Sequence, residues 1–146
     1  MRCLQQLDVS EMEKKRVLMI DNDHFSLSVL YRLLSEMGYQ PMIGSTERAV
    51  DALLEGETPD VIIYNRDLET EWGYSLLERL NRSELTADVP VILLTQSVQR
   101  FSPRVEGDRE TAVCFQKPVA IEPFLTLFLR LINEAPPTRP AVHAKR

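Results

Sequence analysis

Val17-Leu18-Met19-Ile20-Asp21-Asn22-Asp23, with the stretch from Phe25 to Met37 behind it, decides the fold. Four consecutive apolar residues run straight into three polar ones. Unbroken apolarity over so short a run fits a strand covered on both faces, as in a parallel sheet. In Phe25 to Met37, Leu27, Leu30, Leu34 and Met37 recur at helical spacing, and Gly38 follows as a stop. The unit is a strand, a polar turn and a helix.

The same alternation extends outward along the chain. Further strand-like runs are Pro41-Met42-Ile43, Val61 to Tyr64, Val91 to Leu94 and Ala112 to Phe115. Ser45 or Thr46 can cap a second helix through Leu54, with Ala49, Val50, Leu53 and Leu54 as its apolar stripe. Leu76, Leu77 and Leu80 mark a third helix. Pro123 to Glu134 marks the last, with proline in the first turn, where a missing N–H costs little. The interval Gln96 to Thr111 holds Pro103 and Gly107. Proline inside a helix costs roughly 3 kcal/mol, so an irregular, short or bent fourth helix is expected there. Five strands alternating with helices predict an α/β domain whose parallel sheet is covered on both sides.

Composition narrows the class. The chain has 146 residues, 27% charged and 44% hydrophobic, which is globular and sized for one domain. Its net charge is −5, and the three basic residues of the last eleven (Arg139, Lys145, Arg146) leave the remainder at −8. That argues against nucleic-acid binding through a basic face. No apolar run is long enough for a membrane span, and the start lacks the apolar core of a signal peptide. A cytoplasmic protein is expected. Cys3 and Cys114 make neither a disulfide framework nor a zinc spacing. The five glycines form no phosphate-cradling loop, which argues against a flavodoxin-like enzyme or cofactor binder. His24 and His143 have no candidate nucleophile beside them. Residues 1–14 read as a flexible segment, 15–134 as the folded domain, and the Pro-rich basic 135–146 as a disordered tail.

In sheets of this kind, chemistry sits at the carboxyl ends of the strands. Those ends carry Asp21-Asn22-Asp23, then Asn65-Arg66-Asp67, then Thr95, then Lys117-Pro118. With Gly38-Tyr39, Pro59-Asp60 and Gly73, these pieces resemble the receiver domains of bacterial two-component response regulators, the CheY-like family. The likeness spans about Lys15 to Asn133. Asn65 lies 8 residues before Gly73, 30 before Thr95 and 52 before Lys117, the place of the family's phosphoacceptor aspartate. The resemblance implies a flavodoxin-like (βα)5 fold with strand order 2-1-3-4-5. It implies a phosphorelay module with no enzymatic activity of the ordinary kind. An aspartate takes a phosphoryl group from a kinase, helped by magnesium held on acids after strand one. The lysine pairs with the phosphoryl oxygens, the hydroxyl moves to bond them, and an aromatic ring on strand five swings inward.

This chain departs from that pattern. Asn65 stands where the acceptor aspartate is expected, and an amide is a poor nucleophile toward phosphorus. Asn22 replaces the second acid, while Asp21 is kept. Two carboxylates of three are missing. A charge pair at 4 Å is worth about 4 kcal/mol at an effective dielectric of 20, so magnesium binding is expected to be lost, or weak at most through Asp21. The aromatic switch position is Cys114, expected as a small buried strand residue. Lys117 is expected as a structural donor to Asp21 or Asn65. Thr95 is expected to cap the following segment, and Asp23 and Asp67 to be solvated loop acids. The expected function is that of a degenerate pseudo-receiver, working without phosphorylation through protein contact. The rival is a phosphorelay receiver phosphorylated on Asp67 or Asp21. The last helix shows a second apolar stripe, Phe124, Leu127 and Leu131, beside Leu125, Phe128 or Leu129, and Ile132. One stripe suffices for a surface helix. The second is expected to face a signalling partner or a second copy, on the face built from helix four, strand five and the last helix.

Overall fold

The computed structural model describes residues 14–68, 72, 76–96 and 112–134. In chain order the elements are β1 (Arg16–Ile20), α1 (His24–Glu36), β2 (Gln40–Gly44), α2 (Glu47–Gly56), β3 (Val61–Asn65), α3 (Leu76–Arg82), β4 (Val91–Thr95), β5 (Ala112–Gln116) and α4 (Ile121–Glu134). The strands form one parallel sheet in the order β2-β1-β3-β4-β5. This is the flavodoxin-like topology expected from the sequence. The irregular fourth helix, the N-terminal segment and the C-terminal tail lie outside the described residues.

Alternation along each strand explains the consecutive apolar runs. Val17, Met19, Ile63, Ile92 and Leu94 point to one side, where Leu27, Leu30 and Leu34 of α1 meet Phe124, Phe128 and Ile132 of α4. Leu18, Ile20, Ile62, Tyr64, Val91 and Leu93 point to the other, onto Val50 of α2 and Leu76 and Leu80 of α3. Both faces are dry, so neither can carry the polar residues of a half-exposed strand. β2 lies at the sheet edge and is less covered, which suits Pro41, a residue with no N–H to give a ladder.

Two glycines are required by the backbone. At the end of α1, Gly38 has φ +96°. Its N–H bonds the Ser35 carbonyl at 3.0 Å and the Tyr39 N–H bonds that of Leu34 at 3.0 Å, a Schellman closure. Tyr39 is thereby turned edge-on to Phe128, ring centres 5.2 Å apart. At the end of β2, a Cβ on Gly44 would lie 2.7 Å from Val50 Cγ2, so α2 packs where only glycine fits. Thr46, one of the two expected caps, accepts the Ala49 N–H at 3.1 Å. Met37, the last residue of the helical spacing, is the partly exposed C-cap residue of α1.

The expectation for α4 needs correction. Phe124 and Leu127 are buried in the core with Phe128 and Ile132, and Leu131 is partly buried against the same cluster. Phe124 stacks on Phe128 at 6.1 Å. The supposed second stripe is therefore core, not a free partner face. A helix seated between a sheet and α1 is covered over more than one stripe, and its apolar arc widens accordingly. Exposed large apolar residues occur elsewhere, on α1 (Phe25, Val29, Tyr31) and at Ile121, the first residue of α4.

Candidate functional site

At the carboxyl edge of the sheet, Asp21, Asn65 and Thr95 are buried polar residues at or just past the ends of β1, β3 and β4. The next residue after β5 is Lys117, joined to Pro118 by a cis peptide. These side chains form two hydrogen-bonded corners sharing Asn65.

The first corner is built on Asp21. Its Oδ1 accepts the Asn65 side-chain amide at 2.9 Å and the backbone N–H groups of Asn22 and Asp23 at 2.7 and 3.1 Å. Its Oδ2 accepts Lys117 Nζ at 2.9 Å. The Asp21 and Lys117 side chains are only 5% and 7% exposed, so the ion pair is desolvated and depends on this full set of bonds. Lys117 Nζ also lies 3.5 Å from Asp23 Oδ2. Of the two expected partners for Lys117, the structure selects Asp21.

The second corner is built on Asp67. Its Oδ1 accepts the Thr95 hydroxyl at 2.6 Å and its Oδ2 accepts the Gln96 N–H at 2.9 Å. The Asp67 N–H in turn donates to Asn65 Oδ1 at 3.1 Å. The Arg66 N–H donates to the Leu94 carbonyl at 2.8 Å, pinning the turn to β4. Asn65 thus uses both ends of its amide, donating to Asp21 and accepting from Asp67. A carboxylate in its place would turn an oxygen toward Asp21 Oδ1.

One expectation is overturned here. Asp67 is half-buried and holds two donors, so it is not a solvated loop acid. Asp23, with a side chain 42% exposed, is solvated as well as the cap of α1. Its Oδ1 accepts the Phe25 N–H at 3.2 Å and its Oδ2 the Ser26 hydroxyl at 2.8 Å. The Ser26 hydrogen bond, joined by the Lys117 charge, holds the Asp23 carboxyl below its ordinary value, against the opposing effect of burial. The Thr95 hydroxyl reaches back to Asp67; the segment it is expected to cap continues into residues 97–111, which lie outside the described residues. The three-residue interval from Asp23 to Ser26 is a cap signal readable in the sequence. Nothing local announces the Asp67 and Thr95 pair, which spans 28 residues. Cys114 pairs with Leu93 in the β4–β5 register, and its side chain lies outside the described residues. Asn22 is exposed at the rim.

Among the described residues, no three His, Cys, Asp or Glu side chains gather at metal-binding distances. The donor set does not fit a hard dication. Both oxygens of Asp21 already accept N–H donors, and Asn22 and Asn65 bring amides instead of charge. Beside the first corner lies a mostly apolar groove of about 500 Å³, bordered by Phe25, Val29 and Leu30 of α1 and by Pro118, Val119 and Ile121. No described helix is long and apolar enough to cross a membrane.

Comparisons with known proteins agree with this geometry. A family model described as the response regulator receiver domain matches residues 17–127. Over 83 residues, 56% of the chain, the sequence is 35% identical to the two-component response regulator-like protein APRR1 of Arabidopsis thaliana, covering 13% of that protein. It is 32% identical over 125 residues, 81% of the chain, to RpaA of a Synechocystis strain, a DNA-binding dual master transcriptional regulator, covering 49% of it. The chain thus spans less than half the length of the curated relatives it matches. Among solved structures, the receiver domain of the sensor histidine kinase PA1611 from Pseudomonas aeruginosa superposes with a TM-score of 0.66 at 19% identity, covering 83% of this chain and 99% of that one. That structure carries a magnesium ion in its active-site cleft. At such identity the likeness is one of fold.

Proposed function

The chain belongs to the response regulator receiver family, signalling modules of two-component systems that work through contacts with partner proteins; from that premise we propose that it is a pseudo-receiver, signalling by protein contact without taking a phosphoryl group at residue 65. The observation that carries the reading is the Asn65 amide 2.9 Å from Asp21 Oδ1. It fills the acceptor position with a neutral group that is a weak nucleophile and is bonded at both ends. The Lys117 ammonium, 2.9 Å from Asp21 and 3.5 Å from Asp23, already balances the carboxylates that a magnesium ion would otherwise neutralise. Magnesium binding is accordingly lost or weak. Asp67 is a poor substitute nucleophile, because both its oxygens accept hydrogen bonds.

The test is incubation of the full chain with acetyl phosphate and magnesium, followed by intact-mass and peptide mapping. The expected result is no added phosphoryl group, and no saturable magnesium response in the millimolar range. A base-labile, hydroxylamine-sensitive phosphoryl group on residue 65 or 67 overturns the reading.

A further inference from the structure

Thr95 Oγ1 and the Gln96 N–H project from the end of β4 toward one point, and a single carboxylate occupies it. Asp67 receives one donor on each oxygen, at 2.6 and 2.9 Å. Convergent hydroxyl and backbone N–H donors of this kind make a small anion site. Bonds to a charged acceptor are roughly twice as strong as neutral ones. The carboxylate comes from the neighbouring strand, on a turn held by two further bonds, Asp67 N–H to Asn65 and Arg66 N–H to Leu94. An anion tethered in this way competes at high effective concentration with anything free in solution.

We propose that Asp67 is a resident anion filling an oxyanion site at the end of β4, so that Thr95 is held in one state without any exogenous ligand. The site is built for a carboxylate or phosphate oxygen and is closed to both because the chain supplies its own. The inference deepens the pseudo-receiver reading and rests on it, since a tethered anion replaces the phosphoryl group that a switching receiver would need. In Asp67→Ala the two donors are released, and the site becomes open to small anions.

The test follows the Gln96 amide in the full chain by NMR, for wild type, Asp67→Ala and the isosteric Asp67→Asn. In wild type the Gln96 amide exchanges with solvent at least about tenfold more slowly than in an unfolded chain. Wild type gives no saturable response to sodium acetate or inorganic phosphate beyond that of chloride at equal ionic strength. In Asp67→Ala the amide shifts saturably with acetate at millimolar concentration, and the melting temperature rises with it. In Asp67→Asn the fold is kept and the amide proton moves upfield, because the acceptor has lost its charge. Exchange at the free-chain rate in wild type overturns the proposal, and so does a folded Asp67→Ala that ignores both anions. The arms are separable from the phosphodonor experiment. Labelling of residue 65 by acetyl phosphate with a positive acetate rescue sinks the pseudo-receiver reading and leaves the resident anion in place, whereas no labelling and no rescue sinks this inference alone.

Discussion

The two corners of the carboxyl edge solve one problem by different means. Around Asp21 a carboxylate is balanced by a buried ammonium and three N–H donors. Around Asp67 a half-buried carboxylate is balanced by dipoles, a hydroxyl and an amide, with no cation at hydrogen-bonding distance among the described residues. The first arrangement is costly to disturb, because breaking it strands a charge away from water. The second is cheaper to disturb and more specific in direction, because its donors have fixed aim. The difference teaches that a polar network at a sheet edge can stay ordered around an uncharged side chain, provided that amide, here Asn65, is bonded at both ends.

The comparison can be broken most forcefully at the first corner. Asp21→Ala leaves Lys117 buried, with only Asp23 at 3.5 Å to compensate. A loss of about 3–5 kcal/mol in urea unfolding is expected, and a loss under 1 kcal/mol would mean that the ion pair is not desolvated in solution. Asn65→Asp comes next. It removes the bond to Asp21 and sets two carboxylates against each other, for a loss of about 1–3 kcal/mol in a chelator. Magnesium should restore part of that stability in the variant and none in wild type, as read by thermal melting. An equal gain in both proteins would contradict the argument that the wild-type donor set does not fit the ion.

The smallest effect concerns Asp23, whose side chain is 42% exposed. Its carboxyl titrates below the ordinary 3.8, chiefly through the Ser26 hydroxyl. A depressed value means that the unfolded chain takes up the proton first as pH falls. The cap therefore contributes fully above the ordinary carboxylate range, and its contribution is lost as pH falls through the lower folded value. Exposure to solvent keeps that contribution to a few tenths, about 0.3 kcal/mol. Ser26→Ala should move the Asp23 titration, followed by carbon-13 NMR, up toward 3.8, and an unmoved curve would remove Ser26 as its cause.

Much of this is legible in the sequence. The runs Val17–Ile20 and Val91–Leu94 are apolar at every position because helices cover both faces, so alternation of short runs and helices was enough to specify the sheet. The residues at the strand ends were legible too, since topology alone brings positions 21, 65, 95 and 117 to one edge. Less legible was what each side chain would bond. Asp67 and Thr95 meet across 28 residues, and Asp23 caps α1 while staying open to solvent. Nor could the hydropathy of α4 reveal how many neighbours would cover it. Phe124 and Leu127 looked like surplus until Tyr39 and α1 were placed beside them.

One contact far from the pocket bears on how the module can be handled. Lys15 Nζ donates to the Ile132 carbonyl at 2.8 Å, which ties the start of β1 to the last turn of α4. Entry and exit of the folded body therefore lie at a common pole, opposite the rim where Asp21 and Asp67 sit. A fluorophore, an affinity handle or a surface linker attached through either flank would leave that rim facing outward. Immobilised protein should then present the pocket edge to analytes in a uniform orientation.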